Sequence, residues 1–389
     1  MNKVVINLEA LRHNLAQIDM IISLQGATWT VVTKALCGHG DTIKALRLMG
    51  VRSIADSRLD NLRAVNMVAP GLEKWYLRLP HLSAVSDIVK LADLSLNSEI
   101  RVIRALGEEA LRQKKTHNII IMIELGDLRE GITPGSLTDF YSSVFQTPGI
   151  IVQGIGAQIG CLAGMAPNED QAAQLGLFRE LLELKYKKTL QFVSAGSSIF
   201  LPKLFGGGKY PSINHYRIGE ALFLGTDLVT GGKIPALRDD VITLEAEIAE
   251  VKEKNLTAVV DTVASAPFES NENGEQFRPG ERGARALVTV GNLDTSVEGL
   301  SPVVEDYQVA GGSSDITVVN LGSNPYNLSV GDSVTFRTNY AAFLGLMNDP
   351  YIDKEVVPPL TDFEEQFPSR WDVEIPKTIP EHPEDTTDA

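Results

Sequence analysis

The chain has 389 residues with 50 acidic and 35 basic side chains, a net charge of −15 that argues against a nucleic-acid backbone as partner. With 43% hydrophobic and 22% charged residues it reads as a soluble globular protein, too long for one ordinary core, so two domains are expected. No apolar run approaches a membrane span, the N-terminus lacks a signal-peptide layout, and the two cysteines, Cys37 and Cys161, argue against a disulfide framework; a cytoplasmic protein is expected.

A short apolar lead, Val4-Val5-Ile6, enters a helix whose apolar positions Leu8, Leu11, Leu15, Ile18 and Ile22 share one face. From Gly26 onward, short apolar runs alternate with helical stretches. Strands are expected at 29–33, 51–55, 75–79, 92–96, 119–125, 150–159, 190–193 and 216–218. Helices are expected near 41–50, 57–68, 82–91, 98–114, 136–146, 169–187, 198–205 and 219–224. Runs that are apolar throughout suit strands buried on both faces, as in parallel sheets. Eight such repeats predict a (β/α)8 TIM barrel over 1–232, with its site at the C-terminal ends of the strands. A doubly wound open sheet is the weaker reading, because no Gly-x-Gly-x-x-Gly turn follows the first strand.

The period changes to two after Gly231-Gly232-Lys233-Ile234-Pro235, where Ile242, Leu244, Ala246 and Ile248 alternate with polar residues. With further strands expected at 258–260, 286–290, 316–320 and 333–337, residues 233–352 read as a C-terminal antiparallel β domain. Residues 353–389 read as an acidic, Pro-rich tail, much of it an extended arm from Asp362.

The candidate site residues fall where the barrel reading ends a strand. Lys34 closes the β-branched run Trp29-Thr30-Val31-Val32-Thr33. A lysine aimed by a rigid strand end and partly desolvated is suited to Schiff-base chemistry. Arg129 lies in Glu124-Leu125-Gly126-Asp127-Leu128-Arg129-Glu130-Gly131 after the fifth strand. Ser194-Ala195-Gly196-Ser197-Ser198 follows the seventh, and Arg217-Ile218-Gly219-Glu220 closes the eighth. Hydroxyls and glycines after strands seven and eight suit a phosphate, and a Schiff-base lysine facing a phosphate points to pyridoxal 5′-phosphate.

On these stretches the chain resembles the fold-type III pyridoxal-phosphate enzymes, the alanine racemase group. Within it the nearest likeness is to the amino-acid racemases that include ornithine racemase. The matching segments are Val31-Val32-Thr33-Lys34 with Cys37 and His39, Ile54-Ala55-Asp56-Ser57-Arg58, Leu125 to Gly131, Arg217 to Glu220, and Phe336-Arg337 with Tyr340. The resemblance implies that Lys34 bonds the cofactor and acts as an acid–base group at the substrate Cα. It implies that Arg217 faces the pyridine nitrogen. Arg129 then contacts the cofactor's phenolic oxygen or the substrate carboxylate. Ser194, Ser197, Ser198, Gly219, Glu220 (by its backbone N–H) and Tyr340 hold the phosphate, with His39 nearby. It further implies an amino-acid substrate, ornithine before lysine, with an alanine or serine racemase as the alternative, and a homodimer with shared active sites.

One departure concerns the second proton-transfer group. The group's catalytic tyrosine sits in a Gly-Tyr-x-Asp stretch, whereas this chain has Gly291-Asn292-Leu293-Asp294. Cys161, His39, Cys37 and Asp315 are candidate replacements, or Lys34 serves both faces. Plainer readings stand beside these: an Arg129 ion pair with Asp127 or Glu130, a Ser194–Ser198 helix cap, cysteines buried as small apolar groups, and Asp294 and Asp315 as turn residues. A metal-dependent lyase of the same fold is disfavoured because no His/Cys ligand cluster is evident in the β domain. A barrel-only cofactor carrier is disfavoured because the β domain is present.

Overall fold

The computed structural model describes residues 2–160, 164–256 and 281–366. The expected strand at 258–260, Cys161 and the tail from 367 lie outside these residues.

The first strand, β1 (Lys3–Asn7), leads into the helix Leu8–Ser23, whose five expected apolar positions are all buried. Asn7 caps that helix, its side chain accepting from the Ala10 N–H at 3.0 Å. Eight parallel strands then close a barrel: β2 (Thr28–Val32), β3 (Ser53–Asp56), β4 (Glu73–Tyr76), β5 (Leu94–Asn97), β6 (His117–Ile123), β7 (Ile150–Ala157), β8 (Phe192–Ser197) and β9 (His215–Ile218). β2 pairs with β9, Thr28 opposite His215 and Val31 opposite Ile218, which closes the ring. The apolar part of the lumen is Val32, Ala55, Trp75, Leu94, Leu96, Ile120 and Met122. It is therefore a packed core with its chemistry at the rims.

The second layer is an antiparallel sheet. It contains β10 (Ile242–Asn255), β11 (Arg282–Val288), β12 (Leu300–Pro302), β13 (Gln308–Gly312), β14 (Thr317–Gly322) and β15 (Ser333–Thr338), in the order β12-β15-β10-β11-β14-β13. Alternation along β10 buries Ile242, Leu244, Ala246 and Ile248, as a half-buried strand requires. Two segments join this sheet from outside residues 233–352. β1 pairs antiparallel with β10, and β16 (Asp353–Val357) pairs parallel with β1. Lys3, between Glu245 and Glu355, forms ion pairs at 3.4 and 2.8 Å. Segments more than 200 residues apart in the chain thus meet in one sheet. A short helix, Leu360–Gln366, follows β16.

Candidate active site

Lys34 is the first residue of the helical turn Lys34–Leu36, directly after β2 and Thr33. The Thr33 N–H donates to the Ala55 carbonyl at 2.9 Å, and its hydroxyl donates to the Asp56 carboxylate at 3.0 Å. That carboxylate also accepts from the Arg58 N–H (2.9 Å) and from Asn61 (3.0 Å). A buried carboxylate thus pins the backbone that aims the lysine. Burial raises the Asp56 pKa, and these hydrogen bonds oppose the rise.

The lysine faces a cavity of about 510 Å³ at the C-terminal rim, which Arg129, Ser197, Ser198, Arg217, Gly219, Glu220 and Tyr340 also line. Tyr340 begins the helix Tyr340–Asn348, which the β domain carries to the barrel mouth, and the Lys34 Nζ lies 5.7 Å from its ring centre. The Ser198 hydroxyl accepts from the Ala221 N–H at 3.2 Å, so capping and lining occur together at this residue. Burial raises the Glu220 pKa, and the Lys34 charge opposes it.

Arg217, only 5% exposed, is held by four acceptors. One terminal nitrogen donates to the Ser194 carbonyl (2.5 Å) and hydroxyl (2.6 Å). The other donates to the Ala157 carbonyl (3.0 Å) and to Gln158 Oε1 (3.1 Å). Arg129 sits on a loop organised by Glu124, whose carboxylate accepts from the N–H groups of Gly126 (2.5 Å), Leu128 (3.1 Å) and Arg129 (3.2 Å). The guanidinium forms an ion pair with Glu130, as the plainer reading had it, while still lining the cavity.

Four expected residues stand elsewhere. Ser194 is not on a loop after the seventh strand; it lies inside β8, fully buried behind Arg217, because β8 runs on through Gly196 to Ser197. His39 precedes the helix Gly40–Leu48 and pairs through Nδ1 with the Thr42 hydroxyl at 2.8 Å, away from the cavity lining; burial lowers its pKa. Asp315 lies in a β-domain turn, accepting from the hydroxyls of Ser313 (3.2 Å) and Ser314 (3.3 Å), and does not line this cavity within one chain. Nor does Cys37. The sequence reading missed Gln158 and Arg78, both of which line the cavity just past strand ends. A polar residue at the end of an apolar run was the available signal, but each was absorbed into an overlong strand.

The donor set fits pyridoxal phosphate: an amine for the aldehyde, two serine hydroxyls and a tyrosine for a phosphate, and a permanently charged guanidinium on another wall. Among the described residues no group of three or more His, Cys, Asp or Glu side chains is placed to hold a metal.

A closed eight-stranded barrel, a trailing β domain and a rim lysine opposite hydroxyl donors define the alanine racemase class of barrel enzymes. The chain belongs to this family: the alanine racemase N-terminal domain profile matches residues 6–227. It is 31% identical over 360 residues to an ornithine racemase of Acetoanaerobium sticklandii, covering 91% of this chain and 99% of that one. It is 30% identical over 360 residues to a lysine racemase of Thermotoga maritima, covering 92% and 98%. An alanine racemase structure from Bartonella henselae, with covalently bound pyridoxal phosphate, superposes with a TM-score of 0.67 at 16% identity, covering 92% of this chain and 99% of that one.

Proposed function

We propose that the protein is a pyridoxal-phosphate-dependent racemase of basic amino acids, ornithine first and lysine second, working in the cytoplasm. The observation that carries this reading is the convergence of Lys34, Arg217, Ser197, Ser198 and Tyr340 on one rim cavity. The substrate class is supported by the ornithine and lysine racemases that align along more than nine-tenths of the chain.

Bound there, pyridoxal phosphate would supply the electron sink for the pair left at Cα when its proton departs. Lys34 would hold the cofactor through its amine and move a proton on one face of Cα. Ser197, Ser198, Gly219, the Glu220 backbone N–H and Tyr340 would hold the phosphate. Arg217 cannot give up a proton, so placed beside the ring nitrogen it would leave that nitrogen unprotonated and would favour return of the proton to Cα. Arg129 would face the cofactor's phenolic oxygen or the substrate carboxylate from the cavity mouth. Racemisation also needs a proton group on the opposite face. We assign that face to a homodimer in which the second subunit's β domain presents its Asp315 turn, because Asp315 does not line the cavity of its own chain.

Purified enzyme should absorb as a lysine-bound cofactor, and borohydride should trap the cofactor on Lys34. L-Ornithine should yield the D form, with solvent deuterium at Cα. Lys34→Ala should lose both absorbance and turnover. Protein that binds no pyridoxal phosphate would overturn the reading. Turnover of alanine or serine, with ornithine and lysine untouched, would remove the substrate class alone.

A further inference from the structure

Behind Arg217 a chain of buried polar groups crosses the barrel. We propose that His215 is a positioning residue: as the neutral Nε2–H tautomer it orients the Ser194 hydroxyl, which in turn fixes the Arg217 guanidinium against the cavity. The catalytic consequence rests on the reading of Arg217 given above; the geometry stands without it.

A guanidinium has donors only, so the Ser194 hydroxyl must accept the 2.6 Å hydrogen bond from Arg217. The hydroxyl's own proton then needs an acceptor. His215 Nδ1 lies 2.8 Å away. If Nδ1 carried the proton instead, the Ser194 proton would lose this acceptor at a fully buried position. Nδ1 is therefore the bare nitrogen, and the ring proton sits on Nε2, 3.0 Å from the Thr30 hydroxyl. Thr30 in turn lies 2.8 Å from the Ser53 hydroxyl, at the N-terminal mouth of the barrel.

The ring cannot readily turn. Trp75 stacks on it at 4.4 Å between ring centres and 19° between planes, and Phe192 meets it edge-on at 5.2 Å. Burial, together with the Arg217 charge, holds the imidazole well below its ordinary pKa, so it stays an acceptor at Nδ1. With this tautomer the Ser194 hydroxyl and the His215 Nε2–H both point away from the guanidinium, which polarises the Ser194 oxygen towards it.

The tautomer is read first, on cofactor-free protein containing ¹⁵N-histidine at pH 7. Of the six histidines, the ring signal missing from His215→Asn identifies position 215. A bare Nδ1 with a protonated Nε2 is expected; the opposite tautomer, or a doubly protonated ring, overturns the proposal. The kinetic arm uses enzyme reconstituted with pyridoxal phosphate. His215→Leu and Ser194→Ala should each lower kcat about tenfold with KM within about twofold, and the double variant should be no slower than either alone. His215→Asn, which keeps an oxygen able to accept from Ser194, should recover most of the loss. Additive losses, or losses confined to KM, would overturn it. Failure of borohydride to trap the cofactor on Lys34 would sink the functional reading while leaving the tautomer result to judge this one.

Discussion

His117 shows how one buried side chain couples the stability of this fold to pH. It is 1% exposed at the start of β6, with Nε2 2.8 Å from the buried Ser95 hydroxyl, and burial pushes its imidazole down to about 4. In the unfolded chain the ring takes up a proton below its ordinary value near 6.5, while the folded chain declines it until pH 4. The contribution is therefore flat above pH 6.5, and stability falls as pH drops from there to about 4. Between pH 7 and 5 this amounts to about 2 kcal/mol. His117→Asn should be less stable at pH 7, and its loss between pH 7 and 5, measured by urea unfolding, should shrink by about that amount. An unchanged pH dependence would show that other groups govern the acid limb. At this scale residue type was legible and address was less so. Lys34, Ser197, Ser198 and Gly219 could be placed by their position after apolar runs, Arg217 by the short run that contains it, and Tyr340 only through the family resemblance. Ser194 could not, because a shift of four residues in where a strand stops decides whether a hydroxyl lines a cavity or lies behind it.

The reason β8 runs on past Ser194 belongs to the element scale. Its Ala195 and Gly196 look like loop residues, yet Gly196 is required in the strand. A Cβ there would fall 1.8 Å from Cδ1 of the Tyr216 ring on neighbouring β9. Tyr216 is itself buried edge-on against Phe200, at 6.1 Å between ring centres, so it has little room to withdraw. Gly196→Ala should therefore cost about 1–3 kcal/mol by overpacking. It should also displace Ser197 and Ser198, weakening pyridoxal-phosphate binding in an apo-enzyme titration; native stability with native affinity would refute this. All eight barrel strands were legible as elements because two-sided burial makes them apolar runs, although their ends drift by up to four residues. The joining of β1 to β10 and β16 was not legible. A five-residue lead and an acidic strand carry too little pattern to reveal a partner more than 200 residues away, which only the closed sheet supplies.

At the scale of the whole molecule, the proposed racemase would take the Lys34 side of its chemistry from one chain and the opposite-face proton group from a second subunit. The barrel contributes Lys34 and Arg217, and its own β domain contributes Tyr340 through the helix Tyr340–Asn348. The turns holding Asn292 and Asp315 touch each other, the Asn292 N–H donating to the Ser313 carbonyl at 3.0 Å, and they carry the exposed Leu293. Leu128, beside Arg129 at the cavity mouth, is 78% exposed and Leu293 is 79% exposed, so each half of the proposed shared site presents a large apolar side chain to solvent. A two-fold dimer that sets one subunit's turns over the other's cavity would bury both leucines twice. Mixing tests this directly. Lys34→Ala and Asp315→Asn homodimers should each be nearly inactive. In a mixed dimer one cavity carries both substitutions and the other carries neither. Co-expressed in equal amounts, half of the dimers are mixed and each has one intact site, so about a quarter of native activity should return. If each cavity is completed by its own chain, co-expression restores nothing, and Asp315 then owes any effect to its own subunit.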